Sequence, residues 1–259
     1  MNKRTAPTKA WTVKDIVSDG DNWTRYQQTY AGQISAHQVA EVEKMLACGD
    51  PAHGYATYIC LNCGETVRVC FSCKSRVCSR CGKVYADEWA QQLTSRMFNV
   101  THRHITFTIP AELWSMLEAE PVWRKELFGA ANRTLRQVLK AEPGIVMVLH
   151  PYGKDLKVNY HLHGLVTEGG LTEAGAWEDQ PFLSYKALRK RWQYECLTAF
   201  RRVMPKNTET ARLLDRLFRS YPKGFYVHAK PRVADAQGIS RYIGRYLRQL
   251  VSWLRMEPS

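Results

Sequence analysis

Three sets of residues in this sequence have types and spacings that could do chemistry. Tyr160-His161-Leu162-His163-Gly164 carries two imidazoles two positions apart, and on a β-strand such side chains point to the same face. Both can then reach one divalent ion, while Val158, Tyr160, Leu162 and Val166 take the other face. Taken alone, an H-x-H pair is more often two ordinary strand histidines than a metal site, so it gains weight only in company. Ser240-Arg241-Tyr242-Ile243-Gly244-Arg245-Tyr246-Leu247-Arg248 supplies that company. Tyrosines at i and i+4 share one helical face, and Arg241, Arg245 and Arg248 between and beside them suit a grip on phosphate next to two phenol nucleophiles. Without the arginines, a Y-x-x-x-Y pair would read as packing.

The third set is cysteine. Cys60-x-x-Cys63, Cys70-x-x-Cys73 and Cys78-x-x-Cys81 are three C-x-x-C pairs within twenty-two residues. Each such turn can place two thiolates on one zinc at about 2.3 Å, and two turns complete a tetrahedron. A redox dithiol reading needs one C-x-x-C beside a βαβ unit, a context missing here. Six thiolates exceed the four that one zinc takes, and adding Cys48 and His53 gives eight, enough for two closed sites. One zinc on Cys60, Cys63, Cys78 and Cys81, with Cys70 and Cys73 left as thiols, is the alternative. Neither scheme leaves a position for water, so the module is expected to be structural, with Arg76 and Arg80 among the basic residues suited to phosphate contact.

These side chains need elements to position them. Val13 to Ala47 carries a weak helical pattern, and Cys48 to Cys81 has little apolar material, so metal is expected to replace a core there. Beyond it, His104 to Pro110 alternates Ile105, Phe107 and Ile109 with polar residues, the pattern of a half-buried strand. Ala111 to Ala141 reads as helix with a break near Pro121, followed by strands Gly144 to His150 and Lys157 to Thr167 joined by a turn. Helices are expected over Ser184 to Met204 and Glu209 to Ser220, then a strand over Gly224 to Lys230 and a last helix from Ala236 to Leu254. The fold class is therefore α+β: a helical and zinc-binding module over 1–95, then a β-α-β-β-α-β domain of ferredoxin-like order over 96–259 that ends in the tyrosine helix.

Composition points the same way. The 37 Lys and Arg against 24 Asp and Glu leave +13, a surface that attracts polyanions and releases their counterions, so nucleic acid is the first partner to consider. The N-terminus lacks the apolar core of a secretory signal, and the longest apolar run, Ile145 to Leu149, is too short to span a bilayer. A reducing, cytoplasmic setting and no membrane partner follow as expectations, and there crowded cysteines ligate metal more often than they form disulfides.

Taken together these motifs resemble the two-tyrosine HUH transposases of the insertion sequence 91 type. The likeness covers nearly the whole chain: the cysteine block resembles their zinc-binding domain, Phe107-Thr108-Ile109-Pro110 their first strand, Tyr160-His161-Leu162-His163 their HUH segment, Val227-His228-Ala229-Lys230 the strand before the tyrosine helix, and Tyr242-Ile-Gly-Arg-Tyr246 their catalytic signature. Tyr160 stands where a proline is usual. The resemblance implies a nucleoid-associated enzyme that nicks and rejoins single-stranded DNA at element ends and target through a 5′-phosphotyrosine. His161 and His163 would hold Mg²⁺ or Mn²⁺, with Gln237 as the first choice of third ligand and Glu168 or His150 next. Tyr242 and Tyr246 would be the nucleophiles and Lys230 a neutraliser of transition-state charge. Trp114, Trp123, Trp192, Tyr194 and Tyr226 are candidates for stacking on bases, most of them better suited to the core. Two alternatives stay open. Replication-initiation nucleases and conjugative relaxases share the histidines and the tyrosine chemistry. Family members also continue well past the tyrosine helix, whereas thirteen residues follow Tyr246 here, leaving an inactive, zinc-dependent DNA-binding remnant of a truncated element as the other.

Overall fold

The computed structural model describes residues 11–119, 121–153, 155, 157–229, and these fall into two compact units, 11–89 and 90–229. In the first, short helices α1 (Val13–Ser18), α2 (Asn22–Thr29) and α3 (Ala36–Leu46) precede a hairpin of β1 (Tyr55–Ile59) and β2 (Thr66–Cys70), and helix α4 (Ser79–Thr94) begins just after Cys78. Thr12 and Ser35 open α1 and α3 with capping boxes, each side-chain oxygen accepting from a backbone N–H that the first helical turn leaves unpaired. The unit has a small core after all: Val42, Met45 and Val77 are buried with Cys78 and Cys81, and Val13, Val17 and Trp23 pack against them. The apolar residues scattered through the N-terminal helices thus cover the inner side of the cysteine block.

In the second unit, β3 (His102–Thr108) leads through a short helical turn into α5 (Trp114–Ala119) and α6 (Pro121–Leu139). Strands β4 (Ile145–Tyr152) and β5 (Val158–Thr167) follow, then the small hairpin of β6 (Gly169–Leu171) and β7 (Trp177–Asp179). Helices α7 (Tyr185–Val203) and α8 (Thr208–Ser220) lead to β8 (Val227–Ala229). The main sheet has the order β4-β5-β3-β8, with every neighbouring pair antiparallel.

One face of this sheet is hydrophobic, and the period-2 pattern decides which residues form it. Ile105 and Phe107 of β3, Tyr160, Leu162 and Val166 of β5, and Val227 and Ala229 of β8 are buried against Leu127, Ala131 and Leu135 of α6 and Leu188, Trp192 and Phe200 of α7. Each large side chain so buried contributes about 1.5–3 kcal/mol. The Trp192 indole donates to the Thr108 carbonyl at 2.7 Å, and Glu195 accepts from Arg133 and Arg191, both at 2.7 Å. Gly224, at φ +83°, turns the chain into β8 where a Cβ would lie 2.4 Å from the Arg189 backbone, so only glycine fits. Among the described residues no helix is long and apolar enough to cross a membrane.

Candidate metal centres

Because one face of the sheet faces α6 and α7, alternation sends the intervening residues of the same strands to the opposite face. There His161 of β5 stands in register with His150 of β4 and Thr108 of β3, and His163 with Val148 and Thr106. One ligand atom from each of His150, His161 and His163 lies within 4.8 Å of the others. His150 Nδ1 and His161 Nε2 are 3.1 Å apart, too close for both rings to be charged. Burial, followed by the neighbouring His161, brings His150 down from the ordinary 6.5 to about 4, and burial lowers His161 as well. Neutral imidazoles with lone pairs are the form that binds a metal.

The far nitrogens of two of these rings are engaged. His161 Nδ1 lies 2.6 Å from the Asn159 carbonyl, to which it can only donate, leaving Nε2 as the ligand atom. His163 Nδ1 is 2.9 Å from Nε2 of His104 and 3.3 Å from the Thr106 hydroxyl, with the two imidazoles stacked. His104 was not a candidate in the sequence, although its place two residues before Thr106 puts it on the same polar face. Of the proposed third ligands, His150 joins the pair, while Glu168 is engaged by Arg103, Nε to Oε1 2.8 Å. Gln237, Lys230, Tyr242, Tyr246, Arg241, Arg245 and Arg248 lie outside the described residues. His228, exposed on β8, faces Thr106 in register. Of the aromatic residues, Trp192 is core, Trp114 and Trp123 pack against it, and Tyr194 and Tyr226 are exposed beneath the guanidinium groups of Arg191 and Arg189.

In the first unit four thiols converge, those of Cys48, Cys73, Cys78 and Cys81, again within 4.8 Å of one another. The partners of Cys78 and Cys81 are therefore Cys48 and Cys73, not the hairpin pair Cys60 and Cys63, which corrects the one-zinc set read from spacing. Cys48 and Cys73 each lie 3.6 Å from the Cys81 sulfur, and the backbone N–H groups of Cys73 and Ser75 donate to the sulfurs of Cys48 and Cys73. Burial, opposed by the Ser75 N–H but joined by the neighbouring sulfurs, pushes the Cys73 thiol well above its ordinary range. Four thiolates at this spacing repel one another, and a divalent cation removes that cost; zinc fits the set in number and softness. Cys60 and Cys63 are exposed, Cys70 is half-buried at the end of β2, and exposed His53 lies 3.6 Å from an Asp50 oxygen; the structure gathers none of these into a cluster among the described residues. Arg76 lies over the Tyr85 ring and Arg80 is exposed in the first turn of α4.

Two family models match this chain, a transposase zinc-binding domain over residues 20–109 and a putative transposase over residues 144–253. The transposase for insertion sequence element IS801 of Pseudomonas savastanoi pv. phaseolicola is 32% identical over 187 residues, 70% of this chain and 45% of the relative. The putative transposase y4qJ of Sinorhizobium fredii is 27% identical over 264 positions, 89% of this chain and 64% of the relative. The chain thus spans 45% and 64% of the lengths of these two relatives. No solved structure matches it.

Proposed function

Since the chain belongs to the insertion sequence 91 family of transposases and carries its N-terminal zinc-binding domain, we propose that it nicks and rejoins single-stranded DNA at element ends and target through a 5′-phosphotyrosine. The observation that carries this reading is the cluster of His150, His161 and His163 on the sheet face opposite the helices. The sheet order, fourth-first-third-second when only its four strands are counted, supports the ferredoxin-like arrangement of HUH nucleases.

Three imidazole ligands suit Mn²⁺ and, with substrate oxygens and water completing the shell, Mg²⁺. Gln237 remains a candidate for a further ligand. Bound there, the ion supplies Lewis-acid polarisation of the scissile phosphate. The protein's own contribution is orientation. The Asn159 carbonyl fixes the tautomer of His161, and His104 holds His163 by Nδ1.

A phenolate of Tyr242 or Tyr246 attacks phosphorus, the P–O3′ bond breaks, and the departing oxygen takes a proton to become a 3′ hydroxyl. The new 5′-phosphotyrosine conserves the bond energy for rejoining, and the second tyrosine permits a second cleavage without an outside nucleophile. Lys230 neutralises charge at the pentavalent transition state, and Arg241, Arg245 and Arg248 hold the flanking phosphates. Labelled single-stranded DNA incubated with Mn²⁺ should give an adduct that survives denaturation and maps to Tyr242 or Tyr246. The Tyr242→Phe, Tyr246→Phe double variant should give none; DNA binding without an adduct in the parent chain would favour the inactive remnant.

A further inference from the structure

Cys60 and Cys63 stand outside the four-thiol cluster, and the hairpin that presents them is conspicuous for what it exposes. Among the described residues β1 and β2 make a sheet of two strands, a form that is marginally stable by itself. Yet Tyr58, Ile59, Leu61 and Val67 around its turn are 63, 61, 98 and 55% exposed. Large apolar side chains gathered in this way mark a surface that a partner covers.

The turn is also built as a metal knuckle. The Cys60 N–H donates to the Glu65 carbonyl and the Gly64 N–H to the Cys60 carbonyl, both at 2.8 Å, and Gly64 takes φ +74° to close it. Backbone N–H groups of Cys63 and then Asn62 point at the Cys60 sulfur, as they do in a knuckle whose thiolate faces a metal. Two thiolates are half of a tetrahedron. All eight cysteines and all eight histidines of the chain lie among the described residues, and none joins this pair in a cluster. Cys70 pairs with Tyr55 at the other end of the hairpin, four residues beyond Thr66. That is about 13 Å along a strand.

We propose that Cys60 and Cys63 from two copies of this chain hold one zinc ion between them, making the hairpin a metal-closed contact of a homodimer. A second copy is the occupant that the valence selects, because it brings the two missing thiolates and the same apolar surface, related by a two-fold axis. Four Zn–S bonds replace bound water, the thiols release their protons to solvent, and no electron is transferred. The contact is independent of the nuclease reading, since neither the histidines nor the tyrosines take part.

The full chain, purified with zinc under reducing conditions, should sediment as a dimer with about 1.5 zinc ions per chain, one in each four-cysteine cluster and one shared. Cys60→Ser with Cys63→Ser should give a monomer with about one zinc per chain. Its far-ultraviolet circular dichroism should be unchanged, because both side chains are exposed. On cobalt substitution the thiolate charge-transfer intensity should fall by about a third in the double variant. A wild-type monomer, whether with one zinc or with two closed within the chain, overturns the proposal, as does a double variant that remains a dimer.

Discussion

The four thiols and the three imidazoles are both compact ligand sets of nearly the same span, yet they stand in opposite relation to the ion each would hold. In the thiol cluster Cys73 is pushed far up by burial and by its neighbours, so the charged form that zinc requires is one that a metal must stabilise. Burial, then the neighbouring His161, holds His150 at about 4, burial lowers His161 as well, and a large hydrophobic layer supports the strands beneath them. One set is therefore expected to fold only with metal, and the other to fold ready for it. Coordination number completes the contrast, since four thiolates close a tetrahedron whereas three imidazoles leave positions for substrate.

The largest expected effect falls on the thiols. Cys78→Ala or Cys81→Ala should release zinc and unfold the first unit, because binding free energy of about 10–16 kcal/mol is also folding free energy in such modules. Zinc content and near-ultraviolet circular dichroism report this, and a variant that keeps both would break the comparison. Next comes His161→Ala, which should lower divalent-dependent nicking by about 10²–10³-fold, the several kcal/mol that a Lewis acid supplies. Its thermal transition should stay close to the parent's; if the variant unfolds instead, the histidines are scaffold as the cysteines are. His104→Ala should act more weakly, reducing Mn²⁺ affinity about 10–100-fold through the lost hold on His163. Titration calorimetry at fixed pH measures it, and unchanged affinity would remove His104 from the site.

The smallest effect is on pH dependence. His150 is held at about 4 in the folded chain against 6.5 unfolded, so between those values the unfolded chain binds more protons. Stability from this group is complete above pH 6.5 and is lost as pH falls through about 4. Urea midpoints measured with chelator across that window should fall in the parent and flatten in His150→Gln. A parent with no slope there would mean that His150 is not held neutral.

Much of the sheet was legible because alternation is a strong signal: Ile105, Phe107 and Leu162 went to the core and His161 and His163 to the other face as their period demands. The helix over Ser184 to Met204 was legible too, whereas the second helix begins at Thr208, one residue earlier than expected, with Asn207 as its cap. The cysteine partners were not, since C-x-x-C spacing says which thiols are neighbours in a turn and nothing about which turns meet. Cys48 reached Cys73 and Cys81 through the fold of α3 and the hairpin. The β1–β2 hairpin also escaped, because Tyr58, Ile59 and Val67 are exposed and give no one-sided pattern. His104 and His150 carry no motif, and only the register of β3 and β4 against β5 brings them to His163 and His161.

Strand β4 is an outer strand of the sheet among the described residues, and its pairing shifts register just after His150. Asn159 and Tyr160 of β5 oppose the single residue Pro151, where the proline has no N–H to offer a further strand. A bulge there increases the local twist, and the two together make the rim beside His150 a poor template for strand addition. The same irregularity that brings His150 level with His161 thus guards against self-association in ribbons, so this end of the sheet should resist the aggregation to which bare strand edges are prone.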